Sequence, residues 1–85
     1  MKVSVYDTFV PKEDNTEMHF DILVEEGTSV EKVYQYGKAY LKEKSIADVE
    51  LSTKECKFCH IETAPEKVQL EIKSKGFSIV ELENC

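Results

Sequence analysis

The stretches KVSVYDTFV (residues 2–10) and EMHFDILV (residues 17–24), with PKEDNT between them, decide the fold. In the first, Val3, Val5 and Phe9 fall on one side of an extended chain, with Asp7 among them. In the second, Met18, Phe20, Ile22 and Val24 share one side, and His19, Asp21 and Leu23 share the other. A period of two is the signature of a strand. PKEDNT is turn chemistry, so the two runs read as an antiparallel hairpin. Pairing across the turn is expected to set His19 and Asp21 near Thr8 and Tyr6, on the face opposite the apolar set. Asp7 is the anomaly, because alternation places it with that set; a bulge or a local backbone hydrogen bond would accommodate it.

Downstream, Thr28-Ser29-Val30-Glu31 fits a capping box. Val30, Val33, Tyr34, Gly37 and Leu41 follow at helical spacing, which predicts a helix over residues 29–44. Gly37 costs roughly 1 kcal/mol there relative to alanine, and a close approach of helix to sheet would explain it. Residues 47–52, ADVELS, read as a short third strand, with an irregular stretch over 53–62. Thr63-Ala64-Pro65-Glu66 is a second capping box, with proline in the first turn where its missing N–H does little harm. Val68 and Ile72 mark the inner face of the second helix. Gly76 suits a left-handed helix end, and FSIVEL (77–82) reads as the last strand.

The order is β-β-α-β-α-β in a single domain spanning residues 1–85. The expected fold class is α+β, two layers, with one four-stranded mixed sheet and two helices on one face. If each helix is a crossover, strands two, three and four run parallel. Strands three and four then end at one sheet edge, which brings Cys85 toward the loop after strand three. His19, in mid-strand, lies well back from that edge.

That loop contains CKFCH, residues 56–60. Covalent haem attachment uses this spacing, yet no export signal precedes it and the apolar residues are already committed to a strand-helix core. A redox dithiol needs a helix N-terminus beside the first thiol; the second helix begins only at about Thr63, which weakens that reading, and a single-turn extension of the helix would revive it. Zinc needs four soft or borderline ligands in a tetrahedron. Cys56 and Cys59 supply half a site, with Cys85 and His60 as the remaining candidates. Against all three stands plain packing, since free cysteine behaves as a small apolar residue. The His19–Asp21 pair could orient a general base, but no nucleophile stands at diagnostic spacing, and a solvated sheet face stabilised by cross-strand pairs is the favoured explanation. That open face, around Tyr6, His19 and Asp21, also offers a surface for a protein partner.

Net charge is −6, with acidic residues spread along the chain. Such a surface disfavours nucleic acid and anionic membrane alike. No run of about 18 apolar residues is present. With Met1 as the true start, the chain is expected to be cytoplasmic, and its three cysteines reduced.

VYDTFV near the start, MHFD at 18–21, CKFCH at 56–60 and the near-terminal Glu83-Asn84-Cys85 together resemble a bacterial family, domain of unknown function 2024. The resemblance spans nearly the whole chain. It implies a small α+β domain with two helices on one sheet, and it brings no activity with it. The chemical expectation is therefore a non-catalytic domain with structural or metal-binding cysteines. A thiol redox enzyme or sensor using Cys56 or Cys59 is the main alternative.

Overall fold

The computed structural model describes residues 1–46 and 49–85. Among them the elements are β1 (Lys2–Pro11), β2 (Glu17–Glu25), α1 (Val30–Glu43), β3 (Cys56–Thr63), α2 (Glu66–Lys75) and β4 (Phe77–Glu83). The hairpin, both helices and the last strand follow the sequence pattern. The third strand does not. Of the expected strand at 47–52, residues 47 and 48 lie outside the described residues, and residues 49–52 form no strand. Leu51 instead inserts into the core as part of a connection. The strand is CKFCHIET itself.

All pairings are antiparallel, in the order β3-β1-β2-β4. The expected mixed sheet is thus corrected, and the reason is one of edges. β2 and β3 do run in the same direction, as a helical crossover requires, but β3 lands on the free edge of β1. The hairpin partner therefore separates the two parallel strands. β4 then returns along the free edge of β2.

A second correction concerns layers. The register pairs Val5 with Leu23, Asp7 with Asp21 and Phe9 with His19, while Tyr6 faces Ile22 and Thr8 faces Phe20. Tyr6, Val10, Phe20, Ile22 and Val24 form one core with Val33, Tyr40 and Leu41 of α1. Val3, Val5 and Leu23 form another with Ala64 and Ile72, the latter from α2. The helices therefore cover opposite faces. β1 and β2 are inner strands and carry apolar side chains on both sides, so alternation alone could not say which sets belonged together.

Local chemistry fixes the ends. Ser29, rather than Thr28, caps α1, its hydroxyl accepting from the Lys32 amide at 3.4 Å. Thr28 donates instead to the Glu25 carbonyl at 2.7 Å, closing the turn after β2. At α2 the cap position is Pro65, with no side-chain cap, because Thr63 belongs to β3 and accepts from Lys2 Nζ at 3.0 Å. Gly76 ends α2 at φ 93°, in the left-handed region where a side chain is strained. Gly37 is pressed against the sheet: a Cβ there would stand 2.9 Å from Ile22 Cδ1 and would collide with Leu51. That close approach is the one its mid-helix position suggested.

α2 is short, and it shields only the end of its face that carries Val3, Val5, Leu23 and Ser78. Ser78 donates to Glu71 of α2 at 3.1 Å. Among the described residues, no helix covers the other end of the face, which carries Asp7, Phe9, His19 and Asp21.

Candidate functional site

The uncovered end is built by register. Asp7 and Asp21 are direct cross-strand partners on adjacent strands, a placement that sets their Cβ atoms about 4.5–5.5 Å apart and is unfavourable for two ionised carboxylates. One step toward the turn, the His19 ring stacks on Phe9, centroids 4.1 Å apart and planes inclined by 14°. The stack turns His19 Nε2 toward Asp7 Oδ1, 3.6 Å away, too far for a good hydrogen bond. Potential ligand atoms of Asp7, His19 and Asp21 all lie within 4.8 Å of one another. His19 Nε2 and Asp21 Oδ1 are shielded from solvent and have no hydrogen-bond partner among the described residues.

Two facing carboxyls respond by sharing a proton. Burial, then the hydrogen bond to Asp7 and repulsion from its charge, push Asp21 up to about 7, with His19 and His60 pulling the other way. Asp7 is held below the usual carboxylate range, chiefly by the hydrogen bond from Asp21. Near neutral pH the pair is therefore close to releasing the one proton it shares.

β3 contributes through a defect in its ladder. Phe58 pairs with Tyr6 and His60 with Val5, so Cys59 is the extra residue of a bulge. Lys57 already faces the uncovered side opposite Asp7, and the bulge adds Cys59 and His60 in succession to that side. The Cys59 thiol lies under the influence of the Asp7 carboxylate. His60 Nδ1 stands 3.2 Å from Cys59 Sγ, and His60 Nε2 stands 2.8 Å from Glu62 Oε1. Desolvation, then the Asp7 hydrogen bond and the charges of Asp7 and Asp21, raise the thiol above its ordinary value.

The four ligands expected from sequence are thus split. Cys59 and His60 come together on the uncovered face. Cys56 points the other way, buried in the α1 core, and accepts from the Thr8 hydroxyl at 3.4 Å. Burial raises its thiol too. Cys85 lies beyond the opposite edge strand, its thiol donating to the His19 carbonyl at 3.3 Å, with β1 and β2 between it and β3. Haem attachment and a Cys56–Cys59 dithiol both need two thiols on one side of the strand, and β3 presents them to opposite faces. Of the polar set read from the hairpin, His19 and Asp21 are in the cluster, while Tyr6 and Thr8 face α1. Asp7 is the residue whose role was missed, although its place in an apolar alternation was the visible signal.

Among the described residues no helix is long and apolar enough to cross a membrane. The family model for the domain of unknown function DUF2024 matches residues 1–82. The chain is also similar to a solved structure, the NMR structure of protein NE1680 from Nitrosomonas europaea, a structural-genomics target. Identity to it is 34%, the match covers 100% of this chain and 99% of that one, and the TM-score is 0.87. Among curated proteins, none matches significantly. The chain belongs to the DUF2024 family.

Proposed function

We propose that this member of the family is a small metal-binding domain, holding one divalent transition-metal ion, zinc foremost, between Asp7, His19 and Asp21. The observation that carries this is the convergence of three donor side chains within 4.8 Å, two of whose shielded atoms have no partner among the described residues. Two carboxylates and an imidazole suit zinc, manganese or ferrous iron. An ion between them would turn the repulsion of the Asp7–Asp21 pair into attraction and satisfy His19 Nε2. The site differs from the Cys56, Cys59, His60 and Cys85 set, retaining from it Cys59 and His60 as neighbours. Native mass spectrometry of the untagged, chelator-stripped chain with added zinc tests it. One tightly held ion per chain, lost in Asp7→Asn/Asp21→Asn, is expected. An unchanged mass at excess zinc would refute it.

A thiol enzyme has one observation in its favour, the Cys59–His60–Glu62 alignment, which has the order of nucleophile, base and orienting carboxylate. The facing carboxylates count against it. They hold the Cys59 thiol protonated, whereas a reactive cysteine needs an electropositive setting. Alkylation of Cys59 across pH separates the two: a metal-binding domain leaves the metal-free thiol slow to react at pH 7.

A further inference from the structure

We infer that the free edge of β3 is a self-association site, where a second copy of this chain pairs antiparallel to make one continuous sheet with four strands from each copy. The association does not depend on the metal site proposed above. Along an antiparallel ladder, hydrogen-bonded pairs alternate with pairs whose backbone groups point away. At one end of the β1–β3 ladder the Phe9 N–H donates to the Glu55 carbonyl at 2.9 Å, and at the other the Ala64 N–H donates to the Met1 carbonyl at 2.9 Å. Counting inward from both ends, Lys57, His60 and Glu62 turn their backbone groups to β1, while Phe58 and Ile61 turn theirs outward. Neither helix lies against this edge, since α1 packs on β2 and α2 on β2 and β4. The next outward amide, that of Cys56, is already taken by the Ser52 carbonyl at 2.9 Å, which ends the open stretch.

The bulge selects the occupant. In a regular strand Phe58 and Ile61, three residues apart, would lie on opposite faces. With Cys59 as the extra residue they share the α1 face, across from Tyr6 and Ser4, and Lys57, His60 and Glu62 share the other, across from Asp7, Val5 and Val3. A two-fold axis between Cys59 and His60 then sets Phe58 of one copy opposite Ile61 of the other, Lys57 opposite Glu62, and Cys59 opposite His60. Each of these pairs lies on a single face, and the outward-turned Phe58 and Ile61 form the hydrogen-bonded pair, once on each side of the axis. Both strands carry the same extra residue at the axis, so the ladder stays in step beyond it. A strand without the bulge would slip to the wrong face there. Opposite charges meet in the two Lys57–Glu62 pairs, and Phe58 and Ile61, 55% and 39% exposed in the single chain, cover one another. The other edge strand has no such fit: β4 carries Glu81 and Glu83 and no basic residue, so two copies there would bring acids together.

Sedimentation velocity of the full chain, reduced and free of metal, from about 5 μM to 500 μM reads the equilibrium. A monomer–dimer equilibrium is expected. Lys57→Glu and Glu62→Lys should each weaken the dimer roughly tenfold, because each sets like charges opposite one another on both sides of the axis. The double exchange Lys57→Glu/Glu62→Lys should return the dimer to wild-type strength, a rescue that a purely structural role of either residue would not give. Ile61→Lys, which puts a charge on the edge, should abolish the dimer and keep wild-type circular dichroism. In amide hydrogen exchange, Phe58 and Ile61 should become more protected as concentration rises, while β4 stays unchanged. A chain that remains monomeric throughout the range would overturn the inference. So would a dimer that withstands Ile61→Lys and both charge reversals, or one whose concentration-dependent protection falls on β4.

Discussion

Two halves of one sheet face, built by the same pair of strands, have opposite character. Toward one end, Val3, Val5 and Leu23 are buried under Ile72 of α2. Two residues further along each strand, at the same alternation, stand Asp7 and Asp21, and then Phe9, which is 41% exposed. Backbone geometry is shared, so the difference lies in cover and in side-chain chemistry. Under the helix, apolar packing is worth roughly 1.5–3 kcal/mol for each large side chain removed from water. Beyond the helix, the strands carry two acids face to face, an arrangement that costs stability. A domain this small has little stability to spare, so a cluster that opposes folding and has no packing role is the natural place to look for a ligand.

The largest contrast should come from truncating one apolar residue in each half. Leu23→Ala, under α2, should lower unfolding free energy by about 2–4 kcal/mol in denaturant titrations. Phe9→Ala, in the open half, should cost less than about 1 kcal/mol, because its ring already meets water. Equal losses would mean that the two halves are covered alike.

Next in size is the acid pair. Asp21 binds its proton more tightly in the folded chain than in the unfolded one. Its contribution to stability is therefore complete below about pH 4 and is lost as pH rises toward about 7. Asp7, shifted downward, acts in the opposite sense and only at lower pH. Asp21→Asn keeps a donor for Asp7 without a charge. It should be more stable than wild type at pH 8 by about 1–2 kcal/mol, a figure reduced for partial exposure. Chemical denaturation at pH 4.5 and pH 8 checks it, and a variant no more stable than wild type at pH 8 would remove the shared proton from the account.

The same proton sharpens the metal side of the comparison. Metal ions compete with protons for their ligands, so zinc affinity should fall by roughly tenfold or more for each pH unit below 7. Calorimetry at three pH values, in buffers of different ionisation enthalpy, gives both the slope and the protons released. The smallest effect is expected at the far edge. Cys85→Ser should leave zinc affinity and stability unchanged within about 0.5 kcal/mol.

Much of this architecture was legible in the sequence. The hairpin, the two helices and the last strand were marked by alternation, helical spacing and Gly76. Gly37 announced its close approach. What failed was the third strand, and the cause is visible in CKFCHIET. Cys56 and Phe58 alternate, then Ile61 falls out of phase because Cys59 is bulged. A bulged edge strand reads as irregular, and ADVELS offered a cleaner alternation nearby. Sheet order was hidden for a different reason, since a crossover helix can deliver the next strand to either edge of a hairpin. The candidate site was half legible. His19 and Asp21 stood out as polar residues facing together, but a five-residue turn set the register so that Asp7, not Tyr6, lies opposite Asp21. CKFCH drew the eye to two cysteines, and only one of them reaches the site.

The measurement closest to the central claim is a manganese(II) titration of isotopically labelled, chelator-stripped protein, followed in amide NMR spectra. Manganese broadens nearby resonances, and the carboxylate–imidazole part of the site should accept it weakly. The account predicts broadening that begins at Asp7, His19, Asp21 and Cys59 and vanishes when zinc is added. Broadening that spreads evenly over the acidic surface, or that centres on Cys85, would contradict it.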